Sequence, residues 1–269
     1  MAVATPASSM SPRTRRKLVR AIQYGVFLAV LAAVALAADW GQIADSFFRL
    51  DIAGDMFPRV WEAFGNTIAY TVLAFAFGVV VGVPMALMRI SEVAPYRWFA
   101  TAYIELFRGL PALLVLFIVA FGLPQAFSGM VLPGGVYGQV ALGLGLTSSA
   151  YIAETVRAGI QAVPKGQIEA ARSLGMSHMR TMVSIVLPQA VRIVIPPLTN
   201  ELVMLTKDSS LVFVVGVTAS SMELATFARS ELNATANATP LLVGGLLYLL
   251  ITVPLSMLAR RLENKGESR

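Results

Sequence analysis

The chain has 269 residues, of which 57% are hydrophobic and only 13% charged; 21 Lys and Arg face 15 Asp and Glu, for a net charge of +6, and there is no cysteine. A soluble single-core protein could not hide so much apolar surface, and disorder, a disulfide scaffold, a Cys-based zinc or iron–sulfur centre and a Cys nucleophile are excluded. The composition leaves an integral membrane protein, and the apolar stretches along the chain predict an all-α, polytopic one.

A crossing needs about 20 apolar residues, and six stretches provide them. A basic segment at 1–20, with Arg13, Arg15, Arg16, Lys17 and Arg20, precedes an uncharged run at 21–38. This run reads as a transmembrane anchor. A cleaved signal ending at Ala35-Leu36-Ala37 is the rival reading, although the run is longer than the usual apolar region of about 7–15 residues. Both readings place 39–60 outside the cell, with Trp40 and Trp61 at interfacial positions near its ends. The second crossing, 66–88, is uncharged and carries Gly78 and Gly82 at a close-packing spacing. Thr67, Tyr70 and Thr71 are polar groups within it.

The third crossing is predicted at 110–132, with its helix starting near Tyr103, and the fourth at 136–153, thinned by Gly143 and Gly145. The fifth, 183–205, contains Arg192 and Glu201, and Pro196-Pro197 are expected to interrupt it and free backbone carbonyls. The sixth is 240–259, followed by a tail at 263–269. A further apolar stretch at 211–228 holds Thr218, Ser220, Ser221 and Glu223 and is predicted to be re-entrant. With the N-terminus in the cytoplasm, 15 Lys and Arg fall inside and four outside, Arg49, Arg59, Lys207 and Arg229. That bias predicts a multi-pass protein of the cell membrane with both termini cytoplasmic. The basic residues are scattered over separate loops, so no nucleic-acid partner is expected.

The connection after the fourth crossing is the longest on the cytoplasmic side. Pro164 and Gly166 mark a helix start, 167–174 reads as a short helix, and Gly175 supplies a residue suited to a left-handed cap. Ile168, Ala171 and Leu174 share one face, Glu169 and Arg172 are within mutual reach, and Ala170 and Ala171 are expected to be exposed for close approach by a partner. A second short helix starts at Ser177. The alternative is an amphipathic helix lying on lipid headgroups.

Ionisable groups at membrane depth are functional candidates by default. Glu105 with Arg108, and Glu154 with Arg157, read as pairs at cytoplasmic helix ends, and Arg108 and Glu154 are at the same time candidates for a solute pathway. Asn200 and Glu201, and after them Lys207, Asp208 and Ser209, are candidates to face a polar solute pathway near an interrupted helix. The lone His178 has no companion ligand, so no metal site is expected. No phosphate-binding glycine loop with a following Lys is present, so the chain should not itself bind ATP.

The residues Glu169-Ala170-Ala171, Gly175 after three more, and Ile185-Val186-Leu187-Pro188 resemble the cytoplasmic signature of membrane subunits of binding-protein-dependent ABC importers. Asn66-Thr67, Glu105-Leu106-Phe107-Arg108-Gly109, Ala150-Tyr151-Ile152-Ala153-Glu154 and Lys207-Asp208-Ser209-Ser210 resemble the polar-amino-acid branch (histidine, glutamine or arginine type). The resemblance covers about 61–262 and implies a five-helix permease core with an added N-terminal helix. It implies a coupling helix at about 165–181, with Glu169, Ala170, Ala171, Arg172, Leu174 and Gly175 meeting a separate ATPase. The implied partners are an ABC ATPase dimer that binds ATP and Mg, a second identical or different permease subunit, an extracytoplasmic solute-binding protein and an amino-acid substrate. The contrasting reading is a six-helix secondary transporter or channel that does not use ATP.

Overall fold

The computed structural model describes residues 12–267, which are mostly helical, with no strand among them. The first eleven residues of the basic segment and, at the other end, Ser268 and Arg269 lie outside the described residues. The chain divides into two compact units at Arg49 and Leu50.

The first unit contains α1 (Pro12–Ala37) and α2 (Trp40–Phe47). At 1.5 Å per residue the 26 residues of α1 extend about 39 Å, enough to cross a bilayer. Asp39 starts α2 by accepting a 2.9 Å hydrogen bond from the Gln42 amide, a side-chain cap for an otherwise unpaired amide. The Trp40 indole donates at 2.8 Å to the Ala35 carbonyl, one of the orphan acceptors at the end of α1.

The second unit begins with α3 (Leu50–Arg89), 40 residues long. The outer segment expected at 39–60 is therefore helical, and the helix of the second crossing starts 16 residues before Asn66. Met56, Val60 and Ala63 explain the extension: they recur at one-turn intervals and are buried against Leu224 and Phe227.

α4 (Ala94–Gly109) follows, then α5 (Ala112–Phe117), a π-helical turn Ile118–Gly122 and α6 (Leu123–Ala126). The third crossing is thus not one helix through residue 132. Pro111 cannot donate a backbone hydrogen bond, and the two halves Ala94–Gly109 and Ala112–Ala126 are bent by 104°.

α7 (Val136–Gln161) is the centre of the second unit. It packs on α3, α4 and α5. Its seam with α3 runs through glycine. A Cβ placed at Gly82 would stand 2.6 Å from the Ser149 carbonyl oxygen, and one at Gly78 would stand 2.2 Å from Ser148 Oγ. Gly143 and Gly145 are pressed in the same way against Leu116 and Phe77. Close backbone approach is the usual way helices pack in lipid, where apolar burial between helices gains little.

α8 (Lys165–Ser173) and α9 (His178–Thr181) form the cytoplasmic pair, and a π-helical turn Met182–Val186 leads into α10 (Leu187–Asp208). α10 runs unbroken through Pro196 and Pro197, so the expected interruption there does not occur. The change comes later, at a 3₁₀ turn Ser209–Val215 that ends on Gly216 with φ +79°. The stretch 211–228 is accordingly not one helix. It is this turn, a reversal with Thr218 and Ser221 closing a capping box, and the start of α11 (Leu224–Thr235). α12 (Thr239–Glu267) ends the described chain and exposes Leu246, Leu249, Leu250, Val253 and Met257.

Four of the described helical segments are long and apolar enough to cross a membrane, and five if the bent pair counts as one span. α7 has the length but holds Gln139, Thr147, Ser148 and Ser149 among its residues. Enclosed by neighbours, it has little need to be lipophilic.

Candidate functional site

The cytoplasmic projection is built from α8 and α9. Ile168 packs onto a cluster of Ile160, Val163, Val186 and Ala190, and Ala171, one turn on, also turns inward. Ala171 is thus buried, whereas its neighbour Ala170 is exposed as expected from the sequence. Gly175 has φ +83°, and its amide donates at 3.0 Å to Arg172 while that of Met176 donates at 3.1 Å to Ala171. These two bonds are the paired closure of a glycine-capped helix end. Arg172 does not reach back to Glu169; its guanidinium donates at 2.8 Å to the Met176 carbonyl and braces the cap. Gln189 ties the projection to α10 through a 2.6 Å bond to Gln167. What remains outward is an apolar and charged tip. Leu174 is 85% exposed and Met179 71%, and Glu169 is also exposed.

Beside α7 the chain forms a cavity of about 590 Å³ lined by the 108–112 segment, by one face of α7 and by one face of α10. α7 contributes Leu144, Thr147, Ser148 and Tyr151; α10 contributes Glu201, Met204, Leu205 and Asp208. Both sets have the three- and four-residue spacing of a single helix face. The volume lies within the range of small-molecule sites. Arg108 stacks over the Tyr151 ring at 5.6 Å, an arrangement that holds a cation by the negative face of the ring. Ser148 Oγ is buried and has no hydrogen-bond partner among the described residues.

Of the residues expected along a solute pathway, Arg108, Glu201 and Asp208 line this cavity together. The other four do not. Asn200 bonds to Glu263 of α12 at 3.4 Å. Lys207 is exposed away from the cavity lining. Ser209 is fully buried and donates at 2.7 Å to the Thr206 carbonyl. Glu154 belongs to an ion cluster: it accepts from Arg89 at 3.1 Å and from Arg157, as the spacing predicts, and Arg89 reaches on to Glu105 at 3.2 Å. Glu105 therefore pairs with Arg89 and not with Arg108. Thr147, Ser148 and Tyr151 were missed by sequence reasoning. Their signal was present as polar side chains recurring on one face of a crossing that has no charge between Val136 and Ala153.

At the other end of α3 a polar network holds the reversal. Asn66 Nδ2 donates to the carbonyls of Ser220 and Met222 at 3.0 and 2.9 Å, and the Tyr70 hydroxyl donates to Ser221 at 2.7 Å. Tyr137 donates to Asn66 Oδ1 at 2.5 Å. Glu223 is completely buried yet satisfied. It accepts from the amides of Ala225 and Thr226, from the Thr226 hydroxyl and, at 2.8 Å, from the Tyr248 hydroxyl. Such pairing removes most of the penalty of a buried charge.

Helices with apolar spans, a cavity lined by Arg108, Glu201 and Asp208 among apolar side chains, and a projecting helix pair are the architecture of a membrane transport subunit. Residues 78–266 match the family of binding-protein-dependent transport system inner membrane components, and the chain belongs to that family. It is 41% identical over 220 residues to a probable glutamine ABC transporter permease protein of Bacillus subtilis (strain 168), covering 81% of this chain and 98% of that one. It is 36% identical over 216 residues to an arginine transport system permease protein of the same organism, covering 78% and 94%. A solved amino acid ABC transporter, crystallised with histidines, superimposes with a TM-score of 0.71 at 36% identity, covering 79% of this chain and 96% of that one. The chain is a permease subunit of an ABC importer, a transport subunit and not an enzyme. The reading as an ATP-independent transporter or channel is set aside.

Proposed function

We propose that this permease carries a polar amino acid inward through the cavity between α7, α10 and the 108–112 segment, and that the α8–α9 projection receives the work of ATP hydrolysis from a partner ATPase dimer. The coupling assignment is carried by one observation. α8 is held at its base by half-buried Ile168 and buried Ala171, stopped by a left-handed Gly175, and presents Leu174 85% exposed at its tip. A helix fixed at one end and apolar at the other can transmit a push from a protein cleft, whereas a loop could not.

The remaining features of this reading follow from the sequence. The charge bias supports six crossings with both ends in the cytoplasm, so the projection faces the nucleotide-bearing side. A second permease subunit completes the pathway, and a solute-binding protein delivers the amino acid from outside. Glu169, Ala170, Arg172, Leu174 and Gly175 serve docking, with Ala171 anchoring the helix from beneath.

The protein has no native cysteine, so a single Leu174→Cys variant gives a clean crosslinking probe. Expressed with its ATPase, it should crosslink to that subunit in membranes, and the yield should change when ATP is bound. Labelling of this cysteine by a membrane-impermeant reagent from outside intact cells would overturn the reading.

A further inference from the structure

We infer that α1 carries a binding face for anionic phospholipid, with Arg13, Arg16, Lys17 and Arg20 meeting headgroup phosphates and Gln23 and Tyr24 meeting the ester groups beneath them. This concerns the first unit alone, and it stands whichever solute the permease carries.

The face follows from the helical repeat. α1 is helical from Pro12 to Ala37, and at 3.6 residues per turn Arg13, Arg16, Lys17 and Arg20 fall within about 100° of one another around its axis. Gln23 and Tyr24 continue the same side one turn further on. Arg15, Leu18, Val19 and Ile22 lie on the other side, and the side chains of both sides are exposed. The bias of basic residues toward the cytoplasm sets orientation by their number and does not require them to share a side. Their gathering on one side with an amide and a phenol is a separate feature.

Gathered in this way, the cations repel. Arg13 and Lys17, and Arg16 and Arg20, are four residues apart, a spacing at which like charges destabilise a helix. The sequence has no Asp or Glu before Asp39, and none of the four cations is in an ion pair among the described residues. The answering negative charge therefore comes from outside the chain. Beyond Arg20 the helix is uncharged to its end, so the stripe begins where the hydrocarbon stops. From Arg13 to Arg20 it rises about 10 Å, which keeps every charge within roughly one Debye length of the headgroups. Anionic lipid is the negative charge at that level, and Lys/Arg clusters bordering a crossing are held by it. Tyr24, one turn inward, stands at the depth where interfacial aromatic rings collect.

The test uses the full permease with its ATPase in phosphatidylcholine vesicles, doped with a small equal share of brominated phosphatidylglycerol or brominated phosphatidylcholine. The chain has no native cysteine, so Phe27→Cys places a fluorophore on the stripe side of α1 and Val26→Cys places one on the opposite side; both positions are exposed. Quenching at position 27 should be at least about fivefold stronger with the brominated phosphatidylglycerol, the scale of one cation at a charged surface, and at position 26 the two lipids should agree within about twofold. A transposed protein, with Arg16→Val, Val19→Arg, Lys17→Leu and Leu18→Lys, keeps the composition and the orientation signal but scatters the cations. Its ATP-driven uptake shows that it is inserted and assembled, and its preference at position 27 should fall to within about twofold. Arg13→Lys, Arg16→Lys and Arg20→Lys together should keep the preference. Equal quenching by the two lipids at position 27, the result expected if the stripe serves an acidic protein, overturns the inference. So does a preference of the same size at positions 26 and 27, or one that survives the transposition.

Discussion

The Tyr70 hydroxyl of α3 donates a 2.7 Å hydrogen bond to the carbonyl of Ser221, 151 residues further along the chain. Tyr70 is fully buried and its ring lies 4.8 Å from that of Tyr137. Together with Asn66, which donates to Ser220 and Met222, Tyr70 fixes the position of the reversal between the 3₁₀ turn and α11. Tyr70→Phe keeps the ring and removes the donor. It should destabilise the protein by about 1–2 kcal/mol, read as a lower midpoint of thermal unfolding in detergent. An unchanged midpoint would show that water replaces the hydroxyl.

The glycine seam makes a graded prediction. At Gly82 an added Cβ meets a backbone oxygen at 2.6 Å, which cannot rotate away, whereas at Gly78 the obstacle is the Ser148 hydroxyl at 2.2 Å and the flexible end of Ile152 at 2.9 Å. Gly82→Ala should therefore be the more damaging of the two, by about 1–3 kcal/mol. Gly65 has nothing within 4 Å, so Gly65→Ala should be neutral or gain up to about 1 kcal/mol from helix propensity. Thermal midpoints of the three variants, measured side by side, give the order.

Gly175 has open space around it but a φ of +83°. Its replacement acts through backbone strain and not through a clash. Gly175→Val should cost roughly 1–2 kcal/mol at the helix end, enough to loosen the Leu174 tip while the membrane helices insert normally. ATP hydrolysis by the assembled transporter should then proceed with reduced uptake per ATP. Gly175→Asn, which tolerates the left-handed region, should retain most of the coupling.

Glu154 sits between two arginines whose side chains are 20–25% exposed. Solvent screening limits what the cluster contributes, so Glu154→Gln should lower stability by about 1 kcal/mol. A double-mutant cycle with Arg157→Gln should return a coupling energy of the same order, and an additive pair of effects would show that the cluster is electrostatically idle.

Much of this molecule was legible before any coordinates. The Gly175 cap followed from a glycine placed where an amphipathic turn stops. The glycine spacing at 78 and 82 announced a close helix contact, and the contact is with α7. Other features were hidden for definite reasons. The first 16 residues of α3 mix charge with apolar side chains, so a search for long apolar runs starts the helix too late. Pro196-Pro197 looked like an interruption because proline removes a donor, yet α10 runs through them unbroken. The cavity could not be drawn from the sequence, since its lining comes from three segments between Arg108 and Asp208 that meet only after folding. Arg108 was grouped with Glu105 by spacing, whereas Tyr151 claims it across two helices.

The close meeting of α3 and α7 at glycine has a mechanical consequence. At Gly82 the Ser149 carbonyl, and at Gly78 and Gly145 the side chains of Ser148, Ile152 and Phe77, fill the space a Cβ would take, so sliding one helix past the other would force these atoms together and the two should behave as a single girder. Bending that carries a solute from one side to the other would then fall outside this pair, and the 104° elbow at Leu110-Pro111, on the rim of the cavity, is the place where the helix path already breaks.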